Sequence, residues 1–101
     1  MLGYSMKYKK YKGVKYMRLY IITEIVEDEE GFNVYTITNH VEDEKQALEI
    51  FEARTKSLVE SKNTDRVLIQ QYNPKECWGL TKVDLDSGCT IEIAMMEATL
   101  V

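Results

Sequence analysis

Between Asp43 and Lys62 the chain carries the pattern of one amphipathic helix, set in a sequence that elsewhere has the pattern of strands. Asp43-Glu44-Lys45-Gln46 fits a capping box, with Asp43 as N-cap and Gln46 reaching back to its backbone. Ala47, Leu48, Phe51, Thr55, Leu58 and Val59 then fall on one face at helical spacing, with Phe51 in mid-helix as the expected anchor. Glu52 and Lys56 stand four residues apart on the opposite side, in the favourable order for an ion pair. Asn63, beside Thr64 and Asp65, is expected to take the left-handed conformation and end the helix near Ser61–Lys62. A lone helix of this kind needs a surface to cover, and its neighbours in sequence supply a sheet.

Leu19–Val26 is rich in β-branched and aromatic residues and predicts a strand. The polar loop Glu27–Gly31 leads into a second strand, Phe32–Thr38, which closes a hairpin. His40 then falls in the linker to the helix. Val67–Tyr72 is a third strand, ended by the Asn73-Pro74 turn signal. Trp78–Leu85 and Cys89–Met96 are the last two, around Asp86-Ser87-Gly88, a loop suited to a type I turn with a G1 bulge. That loop pairs Leu85 with Cys89, Val83 with Ile91 and Thr81 with Ile93 on one face. On the other it pairs Asp84 with Thr90, Lys82 with Glu92, Leu80 with Ala94 and Trp78 with Met96. The prediction is an α+β fold, an antiparallel sheet in the order β-β-α-β-β-β with one long helix packed on one face. Tyr20, Ile22, Tyr35, Ile37, Tyr72, Trp78, Leu80 and Met96 exceed what one helix covers. Tyr20, Tyr35, Tyr72 and Trp78 are therefore expected on an aromatic second face, a candidate interface.

Charge divides the chain near residue 20. Lys7, Lys9, Lys10, Lys12, Lys15 and Arg18 lie in the first 20 residues with no acid among them, while all 17 Asp and Glu lie beyond. We read residues 1–16 as a basic Tyr/Lys leader and 17–101 as a single acidic domain, the length of the chain allowing one core and not two. Three readings of the leader compete. Lys12–Met17 can be encoded by a purine-rich stretch resembling a bacterial ribosome-binding site before Met17, which makes the leader an upstream extension and the source bacterial or phage. The leader can instead be an extra strand or clasp. It can also be a nucleic-acid arm that tracks phosphates with lysine and stacks bases on Tyr8, Tyr11 and Tyr16.

Nothing in the chain has the spacing of a catalytic motif: no P-loop, no G-x-G-x-x-G, no G-x-S-x-G and no HxxxH. His40 is the only histidine. The acids of Glu27-Asp28-Glu29-Glu30 and Glu42-Asp43-Glu44 lack the alternation of a calcium loop, so neither a metal nor a cofactor is expected. Cys77 and Cys89 lie outside any CxxC, and the register above puts them a strand length apart, as reduced thiols of a cytoplasmic protein. No apolar run reaches membrane-spanning length.

The functional expectation rests on surface character. An acidic domain avoids nucleic acid and anionic lipid, leaving basic proteins, cations or copies of itself as partners, with nucleic acid reached only through the leader. The leading expectation is a non-enzymatic interaction protein of a phage or mobile element, inhibiting a basic host protein such as a defence nuclease in the manner of anti-CRISPR proteins, an analogy of size and charge. Its binding residues are Glu27, Asp28, Glu29, Glu30, Glu42, Asp43 and Glu44, extended by Asp84 and Asp86. The alternative is a homo-oligomeric, for instance dimeric, small-ligand binder with a pocket lined by Tyr35, Tyr72 and Trp78.

Overall fold

The computed structural model describes residues 8–11 and 14–100, with side chains from Arg18 to Thr99. Its elements are β1 (Tyr8–Tyr11), β2 (Val14–Glu27), β3 (Asn33–Val41), α1 (Glu44–Val59), β4 (Thr64–Asn73), β5 (Trp78–Leu85) and β6 (Thr90–Leu100). One antiparallel sheet runs β3-β2-β6-β5-β4, and β1 lies beside the first part of β2 on the same side as β3. Within the leader, the backbone of Tyr8–Tyr11 pairs with Val14–Met17. Its other residues, and the side chains of Tyr8, Tyr11 and Tyr16, lie outside the described set.

The predicted α+β architecture is present, and the β5–β6 hairpin has the expected register. Its ladder runs from Gly79↔Met95 through Thr81↔Ile93 and Val83↔Ile91 to Asp84↔Thr90. The turn closes as anticipated: Gly88 N–H donates to Leu85 O (3.0 Å) and Leu85 N–H to Cys89 O (2.8 Å). Gly88 has φ +92°, where a side chain is strained. Cys77 and Cys89 are free thiols at opposite ends of β5.

Strand direction explains the helix. β3 and β4 run the same way at opposite edges of the sheet, because each is separated from the other by an even number of antiparallel steps. The chain joining them must cross the sheet, and α1 does so. Ala47, Phe51 and Thr55 are its buried residues, with Leu48, Ile50 and Leu58 packed at the rim. They meet Tyr20 and Ile22 from β2 and Ile93 and Met95 from β6. Phe51 is 1% exposed, as an anchor should be. Its ring lies directly on Gly79: a Cβ built there would come 2.4 Å from two ring carbons. Glycine at that point of β5 creates the space the ring fills. Thr55, the one polar residue of the stripe, meets the Thr81 hydroxyl at 3.2 Å, so neither is left unpaired in the core.

Three local expectations are corrected. Asp43 is the N-cap, but its carboxylate accepts from Lys45 N–H at 3.0 Å, within its own turn. Asn63 is not left-handed; Cys77 (φ 52°) is the non-glycine residue with positive φ among those described. The helix ends instead at Glu60 in a right-handed conformation, where the Leu58 carbonyl accepts from Ser61 N–H at 3.2 Å and from the Thr64 hydroxyl at 2.6 Å. His40 belongs to β3, paired with Ile21, because β3 continues to Val41.

Candidate interaction surface

The expected aromatic face is not assembled. Strand parity divides its members between the two sides of the sheet. Tyr20 is 3% exposed beneath the helix and belongs to the core. Tyr72 pairs with Gly79 on the helix side. There its ring sits 5.4 Å from that of Phe51, and its hydroxyl donates to Glu52 at 2.8 Å. Tyr35, opposite Val26, is also on the helix side, donating to Glu24 at 3.0 Å. Trp78 has the opposite parity to Gly79 and lies on the uncovered side. For Tyr72 the difference arises within β4. Its ladder shifts between Thr64 and Arg66 and again between Val67 and Ile69, and each shift reverses which residues face the helix. Glu52 is thereby engaged with Tyr72, and no ion pair to Lys56 forms; among the described residues the ion pairs are Arg18–Glu97 and Arg66–Asp84.

Consequently no pocket is lined jointly by Tyr35, Tyr72 and Trp78. Instead a groove lies on each flank of the helix. One, of about 350 Å³, runs between α1 and β4 and is lined by Phe51, Glu52, Thr55, Val59, Gln70 and Tyr72. The other, of about 360 Å³, includes Glu24, Arg54, Leu58 and Ile93 on the β2 side. Burial pushes the Tyr72 hydroxyl up to about 12, helped by its bond to the Glu52 carboxylate.

The acids are distributed as the sequence indicates, at the two ends of β3, and the structure sorts them by task. In the β2–β3 turn, Asp28 is an organiser: its carboxylate oxygen accepts from Glu30 N–H and Phe32 N–H, both at 2.9 Å. Gly31 at φ +88° completes the turn. Glu27 ends β2 and is half-buried, whereas Glu29 and Glu30 are exposed. Glu29 leans over Gly88, where an added Cβ would lie 3.1 Å from its carboxylate. This contact brings the β5–β6 turn, and with it exposed Asp86, to the same end. Asp84 does not join them, because Arg66 holds it at 3.0 Å.

At the other end Asp43 caps the helix, and exposed Glu44 occupies the first turn, where the helix dipole favours a negative charge. Glu42 is half-buried, with one carboxylate oxygen enclosed. At the two ends of β3, Glu29, Glu30, Asp86 and Glu44 are thus exposed, and Asp28 and Asp43 chiefly shape the backbone. Among the described residues no group of His, Cys, Asp and Glu is gathered as metal ligands.

What sequence reasoning missed lies between these ends. β3 contains no Asp, Glu, Lys or Arg across its nine residues. Phe32 and Val34 are 66% and 57% exposed, and Tyr35 and Ile37 are also exposed. The signal was legible as an uncharged run between two acid clusters, but its meaning depends on β3 being an edge, which needs the strand order.

Cys77 is buried against Met95, sulfur to sulfur 3.9 Å. Burial pushes its thiol up to about 11, with Glu44 and Glu97 adding to the shift. A protonated, enclosed thiol is a structural group and a poor nucleophile. No helix among the described residues is long and apolar enough to cross a membrane.

No protein-family model, curated protein or solved structure matches the chain.

Proposed function

We propose that the chain is a non-enzymatic interaction protein that covers a basic, nucleic-acid-binding surface of another protein. The observation carrying this reading is the disposition of Glu29, Glu30 and Asp86 at one end of β3 and Glu44 at the other. A strand of nine residues separates them by roughly 25–30 Å at about 3.3 Å per residue, the dimension of a groove and not of a small-molecule site. Acids so placed meet lysines and arginines that otherwise hold phosphates. The partner class this favours is a host defence nuclease, with the chain a phage or mobile-element product acting in the cytoplasm in an anti-CRISPR-like manner.

The test is competition. The chain should displace labelled duplex DNA from a CRISPR effector nuclease, more strongly at about 50 mM than at about 300 mM salt, as screening requires. Joint reversal of Glu29, Glu30 and Glu44 to lysine should abolish displacement while the thermal transition stays in place. Asp28 and Asp43 are left intact because both hold backbone. Equal competition by the lysine variant would overturn the acidic-surface reading.

The helix–β4 groove supports a second reading, a small apolar ligand seated against Phe51 and Tyr72. Its volume of about 350 Å³ falls at the lower end of the range for ligand pockets. A ligand-induced rise in melting temperature that Tyr72→Ala removes would favour it.

A further inference from the structure

We propose that β3 is a docking edge, which adds to the sheet an extended strand of a partner protein whose apolar centre is flanked by lysine or arginine at both ends. This rests on the acidic-surface reading and specifies how the partner is held.

The backbone supplies the first part. Among the described residues, β3 is hydrogen-bonded to β2 on one side only. In an antiparallel ladder alternate residues direct their N–H and C=O away from the paired neighbour, so one edge of β3 presents a row of donors and acceptors that no other described strand takes up. β1 shares that side of β2, and its described pairs run from Tyr11↔Val14 to Tyr8↔Met17, short of the β3 segment that starts opposite Tyr20.

Proteins usually guard such an edge with charge, proline, bulges or short length. β4, the opposite edge, has Asp65, Arg66 and two register shifts. β3 carries no Asp, Glu, Lys, Arg or proline. It is nine residues long and uncharged, and the single shift in its ladder lies at Val26/Glu27, by the loop. Both faces offer apolar contact: Val34 on one, Tyr35 and Ile37 on the other, all exposed.

Charge selects the occupant. A second copy pairing antiparallel over the whole strand would turn about Ile37. Each end would then bring Glu30 of one molecule against Glu44 of the other, acid on acid. A strand with basic ends meets the same two positions favourably and has no charge to bury in the centre.

The experiment uses the full chain and labelled peptides in fluorescence anisotropy. The first peptide alternates valine and threonine over nine residues, with two lysines at each end. The second is the same with three consecutive central amides N-methylated, which blocks both of its edges. The third has glutamate in place of lysine, and the fourth is a glycine–lysine peptide of equal charge. The first should bind, and the other three should bind roughly tenfold or more weakly. Amide exchange should slow at Asn33–Val41 in the first complex and not along α1. Val34→Lys with Ile37→Lys, both exposed, should abolish binding without moving the thermal transition.

Equal binding of the first, second and fourth peptides would overturn the edge inference while the acidic-surface reading stood. No binding of the first or fourth at about 50 mM salt would remove both. Equal binding of the glutamate peptide would refute the basic-ended partner. A chain that sediments as a dimer, and as a monomer after Val34→Lys, would make a second copy the occupant and overturn the proposal.

Discussion

The two edges of this sheet are built from similar material and finished differently. β3 and β4 are similar in length, run in the same direction and are mostly exposed along their length. β4 is tied down: Tyr72 packs on Phe51 and bonds Glu52, Arg66 pairs with Asp84, and two bulges break its outline. β3 enters the core only at its end, through Val41 beside Ala47 and Phe51, and elsewhere is held by Arg54 to Asn39 at 2.6 Å and by the Tyr35–Glu24 bond to β2. Its outer rim stays regular and uncharged. The difference shows how a small sheet protects one edge with structure and leaves the other available, and it places mutational sensitivity on the β4 side and binding on the β3 side.

The largest effect expected is at the β4-side anchor. Phe51→Ala should cost about 3–5 kcal/mol, because a fully buried ring is lost over a glycine that cannot fill the space. Denaturant unfolding measures it, and a cost within about ±0.5 kcal/mol would move Phe51 from core to surface.

High pH should act next, again on buried groups. The Cys77 thiol is raised in the fold to about 11 from its ordinary 9.0, so the native state keeps its proton longer than the unfolded chain. Its stabilisation is complete below pH 9 and lost as pH rises towards 11. At about 1.4 kcal/mol per unit this is roughly 2–3 kcal/mol. Tyr72 acts in the same sense between about 10 and 12. Stability measured from pH 8 to 11 should fall steeply in the wild type and less steeply in Cys77→Ala. Parallel slopes would show that the thiol is not enclosed. At pH 8 a thiol reagent should label Cys89, half-exposed, well before Cys77.

Gly79→Ala adds a single carbon beneath the Phe51 ring, and overpacking of this kind costs typically 1–3 kcal/mol. Calorimetry of this variant beside Phe51→Ala separates a crowded ring from a missing one. In the double variant the two costs should be less than additive, since the clash disappears with the ring.

The smallest effects test the two edges directly. Tyr72→Phe removes the hydroxyl bond to Glu52 and should cost about 0.5–1.5 kcal/mol. Val34→Thr on β3 should stay within about ±0.5 kcal/mol. If Val34→Thr proves as costly as Tyr72→Phe, β3 is as firmly held as β4 and the contrast between the edges is broken.

Local signals carried far in this chain. The period of Ala47, Phe51 and Thr55 determined the helix and its buried face, because neighbouring residues on one stripe must share one environment. The spacing around Asp86-Ser87-Gly88 determined the register of β5 with β6, because a three-residue turn leaves few ways for its strands to meet. The acids at Glu27–Glu30 and Glu42–Glu44 were readable as two clusters for the same reason: each is set by turn and cap chemistry within a few residues. Other features depended on contacts between distant segments. The β4 bulges reversed the faces of Tyr72 and its neighbours, and pairing across the sheet placed Tyr20 in the core and Trp78 on the far side. The approach of Glu29 to Gly88 brought Asp86 to the acidic end and left Asp84 with Arg66. That β3 is an edge at all followed only from β2 pairing with β6 on its other side, a choice made by the collapse of the whole sheet around Phe51 and recorded in no single stretch of sequence.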